Sequence, residues 1–249
     1  MNKQKLIYGI VSMMLCVSEN AFSQRDTITI DNWQFSRNTL TANEATQQNG
    51  TWKNVIIPHD FQIEQPWVAP SKDEHADNSD QAANVKSRLS ARGFKEMGIG
   101  WYRKVFTPAQ DWKGKRLMLE FGGIMLVGDV YLNGERIGGT EYGYVGFGID
   151  ITDKIKYGSE NVLVVKADTR KENNSRWYTG GGLFRTVKLI MTDKQLYFAR
   201  HPLYITTKDN NTVNIQAEIF RYNKQKNGDV KVRILDANGK VVAEKNNDV

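Results

Sequence analysis

The sequence predicts an all-β protein built as an antiparallel sandwich, and three observations carry that expectation. Apolar residues recur at every second position along much of the chain, the period of a strand with one buried face. Gly, Asn and Asp punctuate those runs at short intervals; there are 21 glycines and only 5 prolines. No window of helical length carries a 3.6-residue apolar stripe. Composition agrees, with 40% hydrophobic and 25% charged residues. That balance argues against a disordered chain, a collagen or a coiled coil. A mean hydropathy of −0.54 argues against a multi-pass membrane protein.

Residues 1–23 read as a secretory signal peptide. Lys3 and Lys5 form a basic start, residues 6–17 an apolar run too short to span a bilayer comfortably, and Ala21-Phe22-Ser23 a small-residue cleavage site. Cys16, the single cysteine, is preceded by Leu15 rather than the small residue a lipid-anchor site needs, so a soluble exported form is expected. The mature chain, from residue 24, then carries no cysteine and no disulfide. A bacterial periplasm or the extracellular space suits it.

The strands follow in order. Trp101-Tyr102-Arg103-Lys104-Val105-Phe106 is one, with Arg103 and Lys104 placed to snorkel from an outer face. Leu117, Leu119 and Phe121 alternate on the next. Asp129-Val130-Tyr131-Leu132 runs into Asn133-Gly134, the strongest short-range hairpin signal. Asp153 is placed to cap a short turn through Ile155. Residues 161–167 form a buried strand after the turn Gly158-Ser159-Glu160, and residues 186–190 alternate again. A domain boundary falls near residues 193–202. Beyond it, residues 213–222, 230–235 and 241–244 form a second β pattern, with a turn at Asp236-Ala237-Asn238-Gly239. About three strands are too few for an immunoglobulin-like sandwich of roughly seven, so a truncated second domain is expected. Residues 70–86 interrupt the rhythm with a polar, charged stretch, either a solvated insertion or a rim over a neighbouring site.

Taken together, several motifs resemble one family. Val55-Ile56-Ile57-Pro58-His59-Asp60-Phe61, Gly100-Trp101-Tyr102-Arg103-Lys104, Leu119-Glu120-Phe121-Gly122-Gly123, Val130-Tyr131-Leu132-Asn133-Gly134 and Ser175-Arg176-Trp177-Tyr178-Thr179-Gly180-Gly181-Gly182-Leu183-Phe184-Arg185 follow one another in order. The set is similar to the N-terminal sugar-binding domain of glycoside hydrolase family 2, the family of β-galactosidases, β-glucuronidases and β-mannosidases. The resemblance implies a jelly-roll, galactose-binding-like sandwich over residues 24–192 and the start of an immunoglobulin-like domain over 193–249. It implies hydrolysis of terminal β-glycosidic bonds by two glutamates of a (β/α)₈ barrel beyond residue 249, so no catalytic residue is expected in this chain. A barrel needs about 250 residues of its own, and the chain is expected to pack against it.

Within the chain, Arg176, Trp177, Tyr178 and Asp60 are the candidate substrate-binding residues. A guanidinium beside an exposed aromatic stacks on and hydrogen-bonds a sugar ring; the same pair equally suits a domain interface. His59-Asp60 suits a hydrogen-bonded turn after Pro58 better than a sugar contact. Some members of the family carry an acid before this tryptophan and an asparagine before the Trp-Tyr-Arg strand, where this chain has Ser175-Arg176 and Gly98-Ile99-Gly100. Oligo- or polysaccharide is the expected partner, with no cofactor and no metal, and with an oligomer left open. His59, His75 and His201 lack metal-ligand spacing. The net charge of +6 and pI of about 9.2 come from scattered lysines and arginines with acids between them, which argues against nucleic acid. A stand-alone carbohydrate-binding module is the second reading of the same fold.

Overall fold

The computed structural model describes residues 25–68, 93–170, 178–208, 212–222 and 228–248. The signal peptide, the polar stretch 70–86, Arg176 and Trp177 lie outside the described residues. Two compact units are present: Thr27–Met191, and a second that includes Thr192–Val249.

The first unit is a sandwich of two sheets. β1 (Asp26–Thr29), β10 (Val187–Thr192), β5 (Arg116–Phe121) and β8 (Phe147–Asp150) form a four-stranded sheet in that order. β3 (Lys53–Val55), β2 (Trp33–Ser36), β4 (Ile99–Phe106), β9 (Asn161–Asp168), β6 (Val127–Leu132) and β7 (Glu135–Thr140) form a six-stranded, antiparallel one. Period-2 patterning decides which side chains meet between them. Leu117, Leu119 and Phe121 from β5, Val187, Leu189 and Met191 from β10, and Leu163, Val165 and Ala167 from β9 enter one core with Trp33, Phe35 and Tyr102. β9 reads as a nearly continuous apolar run because it is covered on both faces. Its Val164 joins a second cluster with Trp101 and Ala45. Ala45 belongs to α1 (Ala42–Thr46), a single turn that contacts β9 and β4.

α1 is too short to show an apolar stripe. Its signature is the capping box: Thr41 Oγ1 accepts from the Glu44 N–H, and Glu44 Oε2 accepts from the Thr41 N–H at 2.7 Å. The β6–β7 hairpin turns on Asn133 (φ 54°) and Gly134 (φ 87°), the paired left-handed conformations of a type I′ turn. Trp101 and Tyr102, adjacent on β4, serve the two different clusters. Arg103 donates to Gln34 Oε1 at 2.8 Å, and Lys104 reaches the Asp31 carbonyl at 2.7 Å. Beside the short turn around Asp153, Asp150 Oδ1 accepts from the Thr152 N–H at 3.0 Å, while its Oδ2 pairs with Arg116 at 2.9 Å.

In the second unit, β11 (Leu196–Lys208) pairs with β12 (Thr212–Arg221), and β13 (Asp229–Leu235) with β14 (Val241–Asp248), each antiparallel. Residues 193–202 are therefore largely strand. The β11–β12 register breaks between Phe198 and Leu203, around Pro202, which has no N–H to donate to a ladder. Tyr197 packs against Phe220 and Tyr222, with ring centroids 5.4 and 6.1 Å apart.

Candidate functional site

The segment after β3 runs beside the triple glycine. The His59 N–H donates to the Leu183 carbonyl at 2.8 Å and the Phe61 N–H to that of Gly181 at 2.9 Å. Asp60 locks the two together. Its Oδ1 accepts from the backbone N–H of Gly181 at 2.8 Å and of Gln62 at 3.0 Å, and its Oδ2 accepts from the Tyr178 hydroxyl at 2.8 Å. Both carboxylate oxygens are thus engaged within the protein. Gly180 has φ 73°, and a Cβ there would lie 2.7 Å from Asp60 Oδ2, so only glycine fits this approach. Two of the four candidate residues, Asp60 and Tyr178, are bonded to each other across 118 residues of chain.

Behind this clamp lies a second set of polar groups. His59 Nδ1 and the Tyr102 hydroxyl are 2.8 Å apart, and His59 Nε2 lies 3.6 Å from Glu64 Oε1. Glu64 Oε2 accepts from Lys53 Nζ at 2.5 Å. Burial lowers the His59 pKa more than Glu64 raises it, favouring the neutral ring at neutral pH. Burial pushes the fully covered Tyr102 hydroxyl well above its usual range, so it stays protonated. The hydrogen bond from Lys53 holds the Glu64 carboxyl below its usual value. A carboxylate facing Nε2 favours the proton on that nitrogen, which leaves Nδ1 to accept from Tyr102. Gln62 is fully buried, and its side-chain amide has no hydrogen-bond partner among the described residues.

His59 and Asp60 were visible as a motif. Its partners Tyr102, Glu64 and Lys53 come from β4, the turn after Phe61 and β3, and no local motif displays them. Among the described residues, no group of three or more His, Cys, Asp or Glu could hold a metal ion. No helix among them is long and apolar enough to cross a membrane.

Two sheets packed over one core, with an Asp–Tyr clamp on a glycine run, make the first unit a jelly-roll-like β-sandwich. Residues 96–221 match the family model described as glycosyl hydrolase 2 galactose-binding domain-like, and the chain belongs to that family. It is 30% identical over 194 residues to the β-galactosidase BoGH2A of Bacteroides ovatus, covering 77% of this chain and 21% of that protein. It is 26% identical over 261 residues to a β-glucuronidase of Formosa agariphila, covering 91% of this chain and 24% of the relative. Among solved structures, a β-glycosidase from Bacteroides vulgatus superposes with a TM-score of 0.75 at 26% identity, over 90% of this chain and 28% of that one. The chain matches the N-terminal part of such relatives and spans about a fifth to a quarter of the length of these two.

Proposed function

We propose that this chain is the non-catalytic, sugar-binding portion of an exported family 2 glycosidase that removes terminal sugars from β-linked oligo- or polysaccharides. The observation that carries this reading is the family match over residues 96–221, set beside relatives several times longer that are β-galactosidases and β-glucuronidases. Bond cleavage by a retaining glycosidase needs two carboxylates about 5–5.5 Å apart. In this reading they stand on a barrel outside the chain, against which the sandwich packs.

Asp60 is a positioning residue in this scheme. By accepting from Tyr178 and Gly181 it holds the glycine run in place, and Arg176 and Trp177, next to Tyr178 in sequence, supply the guanidinium and the aromatic face for the sugar. The signal peptide directs the protein to the periplasm or beyond, and intact-mass measurement on secreted material is expected to show loss of residues 1–23.

The test is an assay of residues 24–249 beside the full-length protein on aryl β-galactosides and β-glucuronides. The shorter chain is expected to be silent and the full-length protein active. In the latter, Trp177→Ala should raise KM at unchanged melting temperature, since an aromatic anchor contributes about 1–3 kcal/mol. A lower melting temperature with unchanged KM would instead make Trp177 an interface residue. Turnover by the shorter chain that disappears on a point substitution within it would overturn the proposal.

A further inference from the structure

A groove of about 400 Å³ opens on the sandwich between the end of β2, the start of β3 and the turn carrying Glu64 and Gln65, within the size range of small-ligand sites. Two side-chain amides in its wall are each fixed at one end. Asn38 Oδ1 accepts from the Ser36 hydroxyl and from the Thr51 N–H, both at 2.8 Å. Its NH₂ is therefore the free end. Gln65 is held the other way: its Nε2 donates to the Phe61 carbonyl at 2.7 Å, which leaves Oε1 free. The groove thus presents one preset donor and one preset acceptor, with Lys53 and Glu64 also in its lining.

The charged side chains of its lining are paired, Arg37 with Glu96 at 3.4 Å and Lys53 with Glu64 at 2.5 Å, so the lining itself presents no unpaired charge to favour a carboxylate or phosphate over a neutral ligand. What fits preset donors and acceptors without net charge is a ligand whose groups both donate and accept, namely a row of hydroxyls. Trp67 stands just outside this lining: Lys95 Nζ donates to the Gln65 carbonyl at 2.8 Å and lies over one face of the Trp67 ring, 4.1 Å from its centroid, and the indole is 73% exposed. We propose that this groove is a binding site for a neutral oligosaccharide, with hydroxyls bridging Asn38 and Gln65 and a neighbouring ring lying against Trp67. The proposal rests on the reading of the protein as one that handles carbohydrate, and it adds a sugar site on residues other than Arg176, Trp177 and Tyr178.

The experiment is calorimetric titration of the full chain with galactotetraose, xylotetraose and tetragalacturonate, paired with amide shifts in nuclear magnetic resonance spectra. A neutral tetrasaccharide is expected to saturate in the millimolar range or below, shifting the Asn38 and Thr51 amides. Asn38→Asp keeps the accepting oxygen and removes the donor; it should weaken binding about 10-fold. Thr51→Val removes a hydroxyl at the groove wall and should weaken binding by a smaller factor; it carries the test should Asn38→Asp fail to fold. The proposal is overturned by no saturation up to about 10 mM, by tighter binding of tetragalacturonate than of either neutral sugar, or by unchanged affinity in the folded variants. Turnover by the full-length protein is read separately. Groove binding without turnover would keep this site and remove the glycosidase reading, and turnover without groove binding would do the reverse.

Discussion

His59 ties the stability of the sandwich to pH. Its pKa is lowered in the folded protein, chiefly by burial, so the unfolded chain takes up a proton more readily than the folded one. The stability gained from keeping the ring neutral is complete above the ordinary histidine value of 6.5, and it is lost as pH falls through the folded value. Glu64, held down by Lys53, acts in the same direction in a lower window, below its ordinary value of 4.5. Urea denaturation across this range should show stability falling in two steps on acidification, and His59→Gln should remove the upper one. An upper step that survives the substitution would assign it to another group. At Gly180, the positive φ and the nearness of Asp60 act together, so Gly180→Ala should cost more than the ~1 kcal/mol of an ordinary glycine replacement. The midpoint of urea denaturation measures the loss, and a cost of about 1 kcal/mol or less would show that the Asp60 carboxylate moves aside.

At the scale of elements, alternation made β5, β6 and β9 legible, because each buries at least one face and the period of two survives in the residues. The Asn133-Gly134 turn was legible because its backbone conformation restricts what residues it accepts. α1 left no periodic trace in five residues, although Thr41 and Glu44 stand at capping-box spacing. Thr41→Ala should therefore cost about 0.5–2 kcal/mol, measured as a shift of the urea midpoint at constant slope. A null effect would mean that packing of Ala45 against Trp101 and Val164 holds the turn unaided. β11 escaped notice for a different reason. Its exposed residues alternate weakly, and Pro202 reads as a break although the strand continues through it with a shift of register.

Across the whole molecule, the two units differ in how deeply they are packed. In the first, β9 buries six of its eight residues; in the second, β14 buries none. Val241 and Val242 on β14 are 43% and 60% exposed, apolar side chains open to solvent. Limited proteolysis should cut within residues 193–249 before it cuts within any described strand of the first unit; simultaneous loss of both would show that they unfold together. The candidate site divides along the same line of locality. His59, Asp60 and the glycine run are short motifs that a sequence displays directly. The bond from Tyr178 to Asp60 joins positions 118 residues apart, and no periodicity encodes such a distance.

The β6–β7 turn also bears on how the protein ages. Asn-Gly is a sequence at which the asparagine side chain readily closes onto the following backbone nitrogen and deamidates through a succinimide, because glycine places no side chain in the way. In the folded chain Asn133 is restrained at both ends of its amide: Oδ1 accepts from the Val162 N–H at 2.9 Å and Nδ2 donates to Asn161 Oδ1 at 3.0 Å. Folding thus shields one of the four Asn-Gly steps of the chain from hydrolytic damage. Each excursion to the unfolded state risks converting Asn133 to aspartate or isoaspartate. Either product would set a carboxylate against Asn161 Oδ1, where an amide donor had been, so the hairpin would close less well each time the molecule refolds.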